Sequence, residues 1–296
     1  MSKAAMQSGD MKAFMVIDDR LAVLIIAADY AITIAIVLLA IIAHHPLVTI
    51  LAIPLIAGRQ VAFLNLVHAA GHHSLFSKRD TNYSVDLFVG YLIFDAVRPY
   101  RSYHLQHHRE FTRKEQDRFD YLEERLPGHH DGPWRRTWEV IIKPVFGFAT
   151  FDFVRAVVVQ AQGNPWWAWR LAAYWIVVVS AFWWAGWLGY LLLYWFLPLV
   201  WLYPVFYSWA ELSDHYAVKE DARNQRGLFY LLFIKGHEMY HAVHHRYPRI
   251  PFYRIRAASR YLSSIGENLE ETRGVVDFVK ILYRRPPDRA EADSSI

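Results

Sequence analysis

The run LAVLIIAADYAITIAIVLLAIIA, residues 21–43, limits the fold more than any other part of the chain. About 20 consecutive apolar residues match the hydrocarbon thickness of a bilayer. In hydrocarbon a backbone must satisfy its own hydrogen bonds, and a helix does so. A second apolar run covers residues 47–67 after only the turn His44-His45-Pro46, so the pair reads as a transmembrane hairpin. Asp29 interrupts the first run and is expected to lie toward one end of the span or to face the bundle. Residues 171–209 form one apolar block too long for a single span, and Gly186 and Gly189 mark a turn that divides it.

The expected fold is therefore all-α and integral to the membrane, with four spans in two hairpins. The turns near 44–46 and 186–189 carry no Lys or Arg, whereas the intervening loop and both ends carry nearly all of them. The positive-inside rule then places both termini and the large loop in the cytoplasm. Residues 84–97 and 145–159 are apolar but too short to span, and read as interfacial or re-entrant segments. Tryptophans at 166–169 and 183–187 fit the aromatic belts of the two membrane faces. Residues 1–20 form a polar segment without the pattern of a signal peptide. Residues 21–283 read as one membrane domain, and the tail 284–296 is expected to be disordered. A net charge of +4 is modest, and no nucleic-acid partner is expected.

The chain has no cysteine. Disulfides, iron–sulfur clusters and thiolate-held zinc are excluded, so any bound metal must rest on His, Asp or Glu. The 15 histidines are grouped: His68, His72 and His73 after the second span; His104, His107 and His108; His215 after the fourth span; His237, His241, His244 and His245. His44-His45, on the opposite side, and His129-His130, in a Gly/Pro/Asp loop, read as exposed residues without a metal role. On a helix, residues i, i+3 and i+4 share a face, so each spaced group can aim its imidazoles at one point. A zinc ion takes four ligands at most. Eight or nine imidazoles suit two five- or six-coordinate irons, and open positions on iron allow oxygen chemistry.

Three motifs, His68-Ala-Ala-Gly-His72, His104-Leu-Gln-His107-His108 and His241-Ala-Val-His244-His245, together resemble the histidine boxes of the membrane fatty acid desaturase/hydroxylase superfamily. The flanking stretches GRQVAFLNLVHAAGHHSLF and YHAVHHRYPRIPFYRI are similar to those of bacterial members. The resemblance covers about residues 55–256. It implies a mushroom-like fold whose cytosolic cap holds two irons, with the eight box histidines as ligands and His215 as a ninth. It implies that Glu211 can bridge through water. His73 and His237 are further candidates as ligands or ligand partners. Many members follow the second box with Asp-Pro-Asp; here Asp117 and Asp120 stand without the proline, as candidate acceptors for ligand imidazoles.

The resemblance implies O2-dependent removal of hydrogen from an unactivated C–H bond. The expected reaction is desaturation of an acyl or similar aliphatic chain, in a bacterial inner membrane. Hydroxylation of a lipid, carotenoid or amino-acid-derived metabolite is the alternative. Electrons are expected from an external ferredoxin- or cytochrome-type donor with its reductase. Two other readings compete. His237-Glu238-Met239-Tyr240-His241 fits the zinc-protease pattern H-E-x-x-H, with Glu238 as general base and Glu267 as third ligand. A histidine-rich metal transporter would instead space its ligands through the membrane. In the di-iron reading, Glu238→Gln is expected to be much milder than loss of His241, His244 or His245.

Overall fold

A computed structural model describes residues 11–111, 132–216, 218 and 221–283. Asp117, Asp120, His129, His130 and the tail expected to be disordered lie outside the described residues.

Helix α1, Asp19–Ala43, opens on Asp18, whose carboxylate accepts from the backbone N–H groups of Arg20 and Leu21 at 3.1 Å each. Such an oxygen satisfies donors that the first helical turn leaves without partners. The helix ends at His44 in the left-handed conformation, φ 45°. His45 Nδ1 then accepts from Leu47 N at 3.3 Å and caps α2, Pro46–Gly71. The His44-His45 pair thus punctuates the hairpin and stands apart from the other clusters. Every residue of α2 from Ile56 to Gly71 is buried, which makes it the central helix of the fold. A helix apolar on all sides belongs inside a bundle.

Among the described residues three helices are long and apolar enough to cross a bilayer: α1, α2 and Leu188–His215. The predicted third span also forms a helix, Pro165–Trp184. Its indole-rich sequence lowers its mean hydropathy, and it is not among those three. The turn after it falls at Gly186, φ 74°, where the glycines predicted it. The Leu188–His215 helix is irregular: it widens over Leu192–Phe196 just before Pro198, and breaks stride at Trp201. Proline removes a backbone donor and crowds the preceding turn, so Pro198 accounts for the first feature and Pro204 for the second.

The predicted interfacial segment at 84–97 folds as short helical turns, Arg79–Val85, Asp86–Gly90 and Tyr91–Ile93. Two indole N–H groups pin it, Trp175 to Tyr91 O at 2.9 Å and Trp195 to Leu92 O at 3.0 Å. Asp86 accepts from Val97 N at 2.6 Å and so seats the start of α3, Val97–Phe111, which carries the second histidine motif. The second predicted interfacial segment, 145–159, is helical over most of its length within α4, Ala149–Gly163, and α5 denotes Pro165–Trp184. With α6 as Leu188–His215, the next helices are α7, His241–Arg246, and α8, Phe252–Ser264. Helix α9 is Gly274–Leu282.

One departure from an all-helical fold is a small parallel ladder of β1, Asn224–Arg226, and β2, Glu271–Arg273. It positions α7. That helix has only 6 residues and no side-chain cap of its own. The Asn224 side-chain oxygen accepts from Ala242 N at 3.1 Å and Val243 N at 3.4 Å, supplying the cap from a distant strand.

Candidate metal centre

Nine imidazoles meet at one end of the helices, in two groups. The first comprises His68, His72, His104, His108 and His244; the second His107, His215, His241 and His245. Within each group the candidate ligand atoms all lie within 4.8 Å of one another. The groups abut: the ring centroids of His108 and His245 are 4.4 Å apart.

The expectation that each motif aims at a single point is corrected here. Each of the two HxxHH motifs divides between the groups. His104 and His108 enter the first and His107 the second; His241 and His245 enter the second and His244 the first. Helical geometry is the reason. At about 100° per residue, i+4 lies about 40° round from i, while i+3 lies about 60° to the other side. A short helix between two centres therefore sends its i, i+4 pair to one and its i+3 residue to the other.

The ring nitrogens face one another at short range. His108 Nε2 lies 3.0 Å from His104 Nε2 and 3.1 Å from His244 Nε2; His241 Nε2 lies 3.1 Å from His215 Nε2 and 3.0 Å from His245 Nε2. His68 Nε2 and His72 Nε2 are buried with no hydrogen-bond partner. A neutral imidazole has one donor and one acceptor nitrogen, so mutual hydrogen bonds cannot satisfy so many converging atoms. A cation can. The opposite nitrogens are held: His68 Nδ1 by Glu238 Oε2 at 2.8 Å, His241 Nδ1 by Glu238 Oε1 at 3.1 Å, and His215 Nδ1 by Asp221 O at 2.8 Å. An Nδ1–H donated outward leaves the Nε2 lone pair pointing inward.

Burial lowers the pKa of His72, His104, His241, His244 and His245 well below the ordinary value, and neighbouring imidazoles or Lys235 add to the shift. For the same first reason His107 is lowered, and His108 falls from 6.5 to about 4. The rings are thus kept neutral, the state that binds metal. Burial pushes the Glu238 carboxyl up, but His68, its hydrogen-bond partner, and Lys235 outweigh it, so Glu238 is lowered below its ordinary range. Lys235 is itself buried and paired with Asp214, which also accepts from Gln225 Nε2 at 2.5 Å.

Three other predicted residues lie elsewhere. His73 Nε2 meets the Tyr83 hydroxyl at 3.1 Å and joins neither group. His237 Nε2 lies 2.6 Å from Asp29 Oδ2. Glu211 sits one turn before His215 on α6, also outside both groups. The zinc-protease geometry is not formed. Residues 235–240 are not helical, so His237 and His241 do not share a helical face. Glu267 pairs with Arg246 at 2.7 Å on the surface. Sequence reasoning gave no part to Asn65, Asn224 or Asp214. Their only signal was the rarity of polar residues inside apolar or tightly packed segments.

A buried cluster of imidazoles at the end of apolar helices is the arrangement of a histidine-box membrane oxidoreductase. Residues 27–272 match the family described as fatty acid desaturase, and the chain belongs to that family. It is also similar to the dihydrorhizobitoxine desaturase of Bradyrhizobium elkanii, 25% identical over 273 residues that cover 82% of this chain and 75% of that protein.

Proposed function

We propose that the chain is an O2-dependent, iron-using desaturase that acts on an acyl or similar aliphatic chain. The observation that carries the reading is the convergence of five and four imidazoles on two adjacent points. The donor set fits iron: imidazole nitrogens without thiolate, including the buried, partnerless Nε2 atoms of His68 and His72. When bound, such a metal pair supplies O2 activation and the power to take hydrogen from an unactivated C–H bond.

The protein's residues do the remaining work. Glu238 and the Asp221 carbonyl hold rings in the ligating tautomer, and burial favours the neutral form of His241 among them. The Arg-free turns at His44–His45 and Gly186, opposite the centre, favour a cytoplasmic site and cytoplasmic termini in a bacterial inner membrane. Helix α5, with its clustered tryptophans, serves as the third of four spans. Electrons come from a separate ferredoxin- or cytochrome-type donor with its reductase. Desaturation is preferred to hydroxylation because the similar curated protein is named a desaturase. At 25% identity its particular substrate does not carry over.

Expression in a bacterial host, with mass spectrometry of lipids and small metabolites, tests the reaction. A product lighter by a pair of hydrogens supports it; a product heavier by one oxygen moves the assignment to hydroxylase. Metal analysis of the purified protein should find two irons per chain, and one zinc with peptidase activity would overturn the reading.

A further inference from the structure

Glu238 is the point at which the two groups are mechanically joined. Its Oε2 lies 2.8 Å from His68 Nδ1, in the first group, and its Oε1 lies 3.1 Å from His241 Nδ1, in the second. A carboxylate is a rigid planar fork. With one oxygen committed to each group, neither ring can turn without moving the other's acceptor. We infer that Glu238 is a positioning residue that sets one ligand ring in each group, and that the strap of residues 235–238 exists to deliver it. This role rests on the metal-centre reading above.

The strap is held from several sides. Gly236 has φ +51°, and a Cβ there would lie 2.8 Å from Ala62 of α2, so the backbone runs flush against that helix. The Asn65 amide serves the strap with both ends: its Oδ1 accepts from His237 N at 3.1 Å, and its Nδ2 donates to Glu238 Oε2 at 3.4 Å. The His237 ring reaches the other way, to Asp29 on α1, which in turn pairs with Arg59 of α2 at 3.1 Å. Two buried polar residues that are costly inside apolar helices thus have a use: they anchor the loop that carries Glu238. His237, one of the residues considered as a ligand, becomes an anchor.

The fork makes a sharp prediction about substitution. In Glu238→Gln the amide oxygen is expected at the Oε2 position, where Asn65 Nδ2 and His68 can both donate to it. The amide nitrogen then faces His241 Nδ1. A donor there forces the His241 proton onto Nε2 and spoils that ring as a ligand. Glu238→Gln should therefore impair the second group and spare the first, whereas Glu238→Ala should impair both.

The test is titration of detergent-purified, metal-free full-length protein with Co(II), following its visible absorption. Wild type should take up two equivalents. Glu238→Gln should keep one at near wild-type affinity and bind the other roughly 10–100-fold more weakly, with one set of bands altered. Glu238→Ala should weaken both by as much. Melting of the metal-free proteins checks that each variant is folded. If Glu238→Ala does not fold, Glu238→Gln alone decides: loss of neither or of both equivalents overturns the role. Fewer than two equivalents in wild type would overturn the metal-centre reading itself, an outcome seen without any variant.

Discussion

His244 and His245 are neighbours in sequence, yet they serve different groups. His244 Nε2 lies 3.1 Å from His108 Nε2 in the first, and His245 Nε2 lies 3.0 Å from His241 Nε2 in the second. Their ring centroids are 5.9 Å apart, nearly perpendicular. Single substitutions should therefore be separable by metal. His244→Ala should weaken one bound equivalent and His245→Ala the other, each abolishing turnover. Metal analysis of the two variants, alone and combined, checks this. Identical metal deficits that do not add in the double variant would argue for a shared site.

The ion pair of Asp29 and Arg59 is buried between α1 and α2, with Asp29 2% exposed. Removing one member leaves a buried charge whose partner is gone. Asp29→Ala should cost about 3–5 kcal/mol, and Asp29→Leu combined with Arg59→Met should recover much of it. Thermal unfolding in detergent, with and without added metal, reads both.

Gly58 lies where α2 meets the segment Tyr230–Ile234 that leads into the strap. A Cβ at Gly58 would sit 1.8 Å from Leu232 O, a backbone atom that cannot swing aside. Gly58→Ala should force the two segments apart and destabilise the protein by about 1–3 kcal/mol or more. Reduced yield of monodisperse protein and a lowered melting temperature are the expected results. An unchanged melt would show that this approach is looser than described.

Acid should unfold the metal-free protein through its histidines. Burial lowers their folded-state pKa, His108 from 6.5 to about 4 and others well below the ordinary value. The unfolded chain thus takes up protons first as the pH falls. By linkage, the stability present above about pH 6.5 is lost progressively between there and pH 4. Melting temperature measured across that interval should fall steadily, and metal should delay the fall. A flat profile would mean that the rings are solvated in the metal-free state.

Much of the architecture is legible in the sequence. The two N-terminal spans, their turn and the divided C-terminal block follow from hydropathy, because bilayer thickness leaves few alternatives for runs of that length. Eight of the nine histidines stand out through their i+3 and i+4 spacing, which brings residues to neighbouring parts of a helix face, and His215 stands out only through the family resemblance. Their partition is harder to read: the azimuth of each helix relative to two centres depends on packing, which no local pattern records. The strap at residues 235–238 is less legible still. His237-Glu238 looks like the start of a helical motif, but Gly236 and the long-range bonds to Asn65 and Asp29 hold it in a turn, closed by Glu238 N on Lys235 O at 2.9 Å. Asn224 is opaque for a similar reason, since it caps a helix 17 residues further along the chain.

The division of the third motif between the two groups also bears on how the protein is made. His244 completes the first group and His241 and His245 the second, so neither is whole until residue 245 has left the ribosome and its helix has docked. During synthesis His68, His72, His104 and His108 are made before the last member of their group, and His107 and His215 before both of their partners on this helix. On the metal-centre reading proposed above, the complete pair of sites therefore forms only after insertion, when this last helix docks.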